Sequence, residues 1–199
     1  MKKRSKQVSK GTELKLASRD EEAFLAAQSD TIDKLEARLM LLPQAEHECY
    51  HEFTPGIYAR TAIIEAGMLF VTSAHKVDHP FVFSEGRASV WTRQTGWVGF
   101  EAVKMGITKA GTRRVVVSHT RTVMTTFHPN PTNTRDIATI GAEIYFPVAP
   151  SRSLTALEID EIDRFIFVLD VAVKKLASGG TLGLPALDDP KSWESYLLT

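Results

Sequence analysis

Residues 67–129 constrain the fold more than any other part of this chain. They open GMLFVTSAHKVDHPFVFSEGRASVW and close GITKAGTRRVVVSHTRTVMTTFHP. Short apolar runs alternate there with Gly-containing turns, the pattern of strands joined by tight connections. The expectation is a small β-barrel. Four of the six histidines, His75, His79, His119 and His128, fall within this stretch, so the barrel is a candidate for a histidine-lined interior.

The flanks read differently. In SDTIDKLEARLMLLP, Ile32, Leu35, Leu39 and Leu42 recur at helical spacing, Asp30 and Asp33 sit near the positive end of the helix dipole, and Pro43 is the stop. Ser18 and Glu21 have the spacing of a capping box for an earlier turn. The narrow apolar stripe needs a cover, either the barrel or another subunit's helix. FTPGIYARTAIIEAGMLFV gives a Pro55-Gly56 turn, a strand, a Gly67 turn and another strand. After the barrel, HPNPTNTRD is a breaker cluster that should end the sheet, and IATIGAEIYFPVAP reads as part helical and part extended. A long helix is predicted over 154–177, with Thr155 and Glu158 as a capping box and Gly179-Gly180 as the stop. Its FIFVLDVAV segment is apolar on more than one face, which points to a homo-oligomer. In the tail, Trp193 and Tyr196 are aromatic anchors expected to dock. The organisation is thus a flexible basic arm (1–17), a helical segment (18–45), the barrel (46–130), and a linker with long helix and docking tail (131–199).

A formal net charge of zero excludes a global attraction to nucleic acid or an anionic membrane. The exception is MKKRSKQVSK, with five basic residues and no acidic one, read as a solvated arm with nucleic-acid contact as the alternative. Cys49 is the only cysteine, so no intrachain disulfide can form, in keeping with a reducing compartment. No run approaches the ~18 apolar residues of a membrane span. The chain is expected to be soluble and cytoplasmic at synthesis.

His47, Cys49 and His51 alternate onto one strand face but offer three ligands at most, with nothing nearby to complete a tetrahedral zinc site. His75 and His79 are four apart. In an ideal strand that separates them by roughly 13 Å. They can share a metal only if the chain bends between them, as Val77-Asp78 ahead of Pro80 would allow. In VMTTFH the alternation puts Met124 and Thr126 on the face of His128.

A strand, a histidine, a four-residue step and the run FVFSEG with its glycine turn resemble the first motif of the cupins. These are double-stranded β-helix barrels that bind a divalent metal through histidines and a glutamate. On that resemblance His75 falls on the second motif histidine, His79 on the glutamate, and Ser73 where the first histidine should be. KAGTRR resembles the second motif: Gly111 matches its glycine, while Lys109 replaces the proline and Arg114 the histidine. Over about residues 47–145, HEFTPGIYAR, GMLFVTSAHKVDHPFVFSEGRASVWT and GTRRVVVSHTRTVMTTFHPN are similar to uncharacterised cupin-like proteins encoded by tailed bacteriophages. In that group a histidine corresponding to His128 ends its strand.

The resemblance implies a mainly β, cupin-like barrel with flanking N- and C-terminal helices. His75, His79 and His128 are the candidate metal ligands, for one divalent ion such as zinc, iron, nickel or copper. The alternative is three barrel-lining histidines bonded to Ser73, Thr125 or backbone. His119 is expected to be exposed. Arg114 is a candidate ligand-binding residue, although salt bridges from Arg113-Arg114 to Glu85 or Glu101 are the expectation. Glu85 at a turn and Asp78 in a bend have no evident acid–base role. The leading expectation is therefore a non-catalytic, virion-associated or accessory phage protein, homo-oligomeric, contacting other virion proteins and no membrane. The alternative is a metal-dependent cupin enzyme acting on a small molecule.

Overall fold

A computed structural model describes residues 30–147, 153–178, 183–187 and 189–193. Among the described residues nine strands run β1 (Glu48–Thr54), β2 (Gly56–Ile64), β3 (Leu69–Val71), β4 (His79–Glu85), β5 (Arg87–Thr92), β6 (Gly96–Glu101), β7 (Lys104–Thr108), β8 (Val115–Ser118) and β9 (Thr122–Asn130). They form two sheets of order β1-β2-β9-β4-β7 and β3-β8-β5-β6. Beneath that order lies a nested antiparallel pairing: β5 with β6, β4 with β7, β3 with β8 and β2 with β9. Successive pairs alternate between the sheets. One long hairpin wound in this way is a double-stranded β-helix, the jelly-roll arrangement of cupin barrels. The fold class read from the sequence is the fold observed.

Alternation along the strands builds two apolar layers. Inside the barrel, Phe81, Phe83, Ala88, Val90 and Val116 pack with Phe70, Phe100 and Met124. On the outer face of the four-stranded sheet, Trp91, Val115 and Val117 point the other way. That face is covered by α1 (Asp30–Leu39) and α3 (Ala156–Ala177), which bring Ile32, Leu35, Ile162, Phe165, Leu169 and Ala172 to one core. Because β8 is buried on both faces, it reads as the continuous apolar run VVV rather than as an alternation.

The helix signals place the elements to within a turn, and the first helix ends three residues before its expected last position, Leu42. α1 stops at Leu39, ahead of Pro43. α3 starts at its Thr155–Glu158 capping box, with both reciprocal bonds formed. Its apolar breadth resolves into a buried side, with Phe165 and Val168 at 0% exposure, and Phe167 at 58% on the other. Arg113 ties α1 to the barrel through Asp33 and Glu36. Trp193 docks as expected: its ring lies 5.3 Å from that of Phe165 and its Nε1 donates to the Ala186 carbonyl at 2.8 Å. Tyr196, the arm 1–17 and the Ser18–Glu21 box lie outside the described residues.

The ambiguous segment after the barrel is a short helix, α2 (Ile137–Ile144), followed by an extended bridge residue, Tyr145. Asp136 caps α2 by accepting from the amides of Ala138 and Thr139. At the β4–β5 turn, Gly86 has φ +89, and a Cβ there would lie 2.1 Å from the Arg121 carbonyl oxygen, so only glycine fits. No described helix is long and apolar enough to cross a membrane.

Candidate metal centre

His79 is the first residue of β4 and pairs with Thr108 of β7. His128 lies in β9, opposite Tyr58 of β2. His75 stands outside the named strands, in an isolated bridge to Tyr145. Its segment is pinned from both sides, since Gly111 N donates to the His75 carbonyl at 2.8 Å and Lys76 N to the Ile144 carbonyl at 2.8 Å. The chain bends at Lys76-Val77, one residue earlier than the sequence suggested. That bend folds two histidines four apart onto each other. Ring centroids are 3.9 Å apart for His75–His79, 4.8 Å for His79–His128 and 5.0 Å for His75–His128.

One ligand nitrogen from each ring lies within 4.8 Å of the others. Three nitrogens held at ~2.1 Å by one tetrahedral ion lie roughly 3.4 Å apart, and the three rings are gathered close enough to hold one. His79 and His128 are 2% exposed and His75 is 9%. Burial, then the neighbouring histidines and then Arg114 and Arg60, push the His75 pKa down to about 2. Burial, His79 and Arg60 push His128 down to about 4. His79 is also lowered, chiefly by burial. The rings are therefore neutral at pH 7 and keep a lone pair for a metal.

Hydrogen bonding completes the fit. His79 Nδ1 donates to the Val77 carbonyl at 3.4 Å, leaving Nε2 as the ligand atom. His128 Nε2 bonds Thr126 Oγ1 at 3.0 Å, not Ser73 or Thr125. Thr125 instead bonds Thr61 at 2.8 Å. Among the described residues the Nδ1 atoms of both His75 and His128 are buried without a hydrogen-bond partner. Such orphans are rare in native interiors and call for an explanation, of which an ion is one. The residues present thus fit a divalent transition metal in donor type, protonation and spacing.

Around the three rings the sequence reading missed several polar groups. Tyr58 stacks on His128 at 5.9 Å, bonds His51 Nδ1 at 2.7 Å, and has its pKa pushed up to about 12 by burial. Tyr145 packs on His75 at 4.7 Å and accepts from Arg60 Nη1 at 3.1 Å. The alternation of Tyr58 and Arg60 on β2 is visible in the sequence, but their facing β9 depends on a pairing across the whole barrel.

A cavity of about 70 Å³ opens beside His75 and His79, with Arg114 and Thr108 on its wall and Phe81, Phe83 and Phe100 among its floor. A groove of about 620 Å³, lined by Arg60, Tyr145 and the end of α1, shares His75, Thr72 and Thr126 with it. The expected salt bridges to Glu85 and Glu101 do not form. Arg113 is taken by α1, Glu85 pairs with Arg121 at 2.7 Å, and Arg114 Nη2 donates to Thr108 at 3.1 Å. His119 is half-buried rather than exposed and bonds Ser89 at 2.7 Å. Of the other histidine–cysteine group, His47 is exposed, Cys49 accepts from Arg60 and His51 bonds Tyr58. Asp78 is held outside by Lys109 and the Ala110 amide.

No family model matches the chain, and no curated protein matches it. Solved structures do. A cupin-2 domain protein from Shewanella frigidimarina is 14% identical with a TM-score of 0.35, over 53% of this chain and 98% of that one. Salicylate 1,2-dioxygenase from Pseudaminobacter salicylatoxidans is 16% identical with a TM-score of 0.41, over 57% and 35%. A DMSP lyase from Ruegeria pomeroyi is 11% identical with a TM-score of 0.38, over 44% and 49%. In architecture this chain is a cupin-like double-stranded β-helix flanked by helices, with three histidines gathered at one site within it.

Proposed function

We propose that the barrel binds one divalent transition metal through His75, His79 and His128 and works as a metal-dependent enzyme on a small molecule. The observation that carries this reading is the pair of buried, unpartnered Nδ1 atoms on His75 and His128 inside a three-histidine cluster. When bound, such an ion supplies Lewis-acid or, for iron or copper, oxygen chemistry at its open coordination positions. The chain's own residues do the rest. Val77 and Thr126 orient two of the rings, and the phenylalanine floor keeps water from the inner side of the cavity. Tyr58, protonated at neutral pH, is a hydrogen-bond donor beside His128. Among the described residues no carboxylate lines the cavity, so proton transfer by Asp or Glu is not part of this reading.

Elemental analysis of protein purified without a metal-affinity tag tests it. Near-stoichiometric metal, lost in His75→Ala, is expected. A wild-type chain that stays metal-free after incubation with zinc, nickel, iron and copper salts contradicts it.

A second reading keeps the barrel as a non-catalytic phage accessory or virion protein. In its favour, β7 at the sheet edge exposes Met105 and Ile107, next to exposed Val103. Against it, the broad apolar faces of α1 and α3 are covered within the chain, with Leu157 and Phe167 of α3 left exposed. Recovery of the chain in purified virions would support this reading, and its absence there, with no partner from infected cells, would remove it.

A further inference from the structure

We propose that the cavity beside the histidines takes a small organic carboxylate with a short apolar tail, held at its charged end by Arg114. The location rests on the three-histidine reading; the ligand class goes beyond it.

Arg114 is half-buried on the cavity wall. Its guanidinium offers five N–H donors in a planar fork. Among the described residues one side-chain hydrogen bond is made, Nη2 to Thr108 Oγ1 at 3.1 Å, and no carboxylate pairs with it. Three other arginines are paired with carboxylates: Arg113 with Asp33 and Glu36, Arg121 with Glu85, Arg38 with Asp163. The difference is one of place. Among the described residues no Asp or Glu lines the cavity or the groove leading to it, and each contains one arginine, Arg114 within and Arg60 along the groove.

An arginine cannot shed its charge, so a buried guanidinium without a counter-charge bears the cost of desolvation. Burial indeed lowers its pKa with no opposing carboxylate. An incoming carboxylate would supply two parallel charge-assisted bonds to the fork. Beyond Arg114 the walls turn apolar, with Phe81, Phe83, Phe100 and Val90 receiving the tail. At roughly 10–15 Å³ per water-sized sphere, the volume of about 70 Å³ suits a ligand of only a few non-hydrogen atoms. Arg60 on the groove wall gives the approach the same sign of charge.

Butyrate and its neutral isostere butyramide are the probes. Each is titrated calorimetrically into wild type, Arg114→Gln and Arg114→Lys, as purified and after EDTA treatment, with metal content measured on every sample. Butyrate should bind wild type at least about tenfold tighter than butyramide. Arg114→Gln should erase that preference and Arg114→Lys retain part of it, both with unchanged metal content. Equal binding of the two probes, no butyrate binding at ~10 mM, or an undiminished preference in a folded Arg114→Gln would overturn the proposal. The wild-type comparison decides it even if both variants fail to fold. Butyrate preference in a chain that never takes up metal would uphold this inference while removing the metal reading.

Discussion

The imidazoles of His75 and His128 stack with centroids 5.0 Å apart and planes within 5°, and each keeps a buried Nδ1 that bonds nothing among the described residues. They come from segments 53 residues apart in the chain and are held independently, one by the bridge to Tyr145 and one by strand β9. An unsatisfied buried polar atom costs about 1–3 kcal/mol. Two side by side concentrate that cost where a single cation, with His79 as third ligand, would relieve both.

Metal should therefore stabilise the fold. Zinc or nickel added to EDTA-treated protein is expected to raise the melting temperature, with about 2.7 kcal/mol gained at a hundredfold excess over Kd. Differential scanning calorimetry measures it. His79→Ala should abolish the rise, and a shift of equal size in that variant would show that the metal binds elsewhere.

Without metal, stability should fall with acid. The unfolded histidines titrate near pH 6.5, whereas folded His128 and His75 are depressed to about 4 and about 2. The unfolded state thus binds more protons as pH drops below 6.5, and the stabilisation present above that value is lost towards the folded values. The slope is up to about 1.4 kcal/mol per pH unit for each proton. Urea midpoints of EDTA-treated protein between about pH 7 and pH 4.5 report it. His128→Gln should flatten the dependence; an unchanged slope would place the titrating groups elsewhere.

The outer core should be as exacting as the barrel interior. Phe165→Ala removes a fully buried ring and is expected to cost about 3–5 kcal/mol. Phe167→Ala, two residues along on the exposed side, should stay within about 0.5 kcal/mol. Chemical denaturation of the two variants separates them, and equal losses would mean that Phe167 is covered in solution, as in a homo-oligomer.

Arg113→Ala should release α1. The side chain is 10% exposed and engages both Asp33 and Glu36. Its loss is expected to cost roughly 1–3 kcal/mol, with hydrogen exchange quickening in α1 while β9 stays protected. Unchanged exchange in α1 would leave its hydrophobic packing as the whole of its anchorage.

Local signals carried the readings that held. Thr155 and Glu158 are three apart and mark the start of α3 without help from the rest of the chain. The alternation in VMTTFH sets Met124 and Thr126 on the cavity side with His128, and both line the cavity or its groove. Pro80 and the bend before it let His75 and His79 meet. Long-range partners were out of reach. Arg113 finds Asp33 and Glu36 at separations of 80 and 77 residues, where a reading confined to the barrel stretch offered Glu85 and Glu101. Tyr145 docks on His75 through a single bridge at the end of α2, which is why IATIGAEIYF looked both helical and extended. Apolarity all round FIFVLDVAV reflects the buried Phe165, Val168 and Leu169 together with the exposed Phe167. It does not by itself distinguish a covered face from a free one.

X-ray absorption at the metal edge of the as-purified or zinc-loaded protein tests the central claim most directly. Three imidazole nitrogens at about 2.0–2.1 Å from zinc are expected, with the outer-shell scattering of histidine rings. One ring should drop out in His128→Ala. A metal-loaded protein whose spectrum contains no imidazole scattering, or is identical in wild type and His128→Ala, would contradict the three-histidine centre.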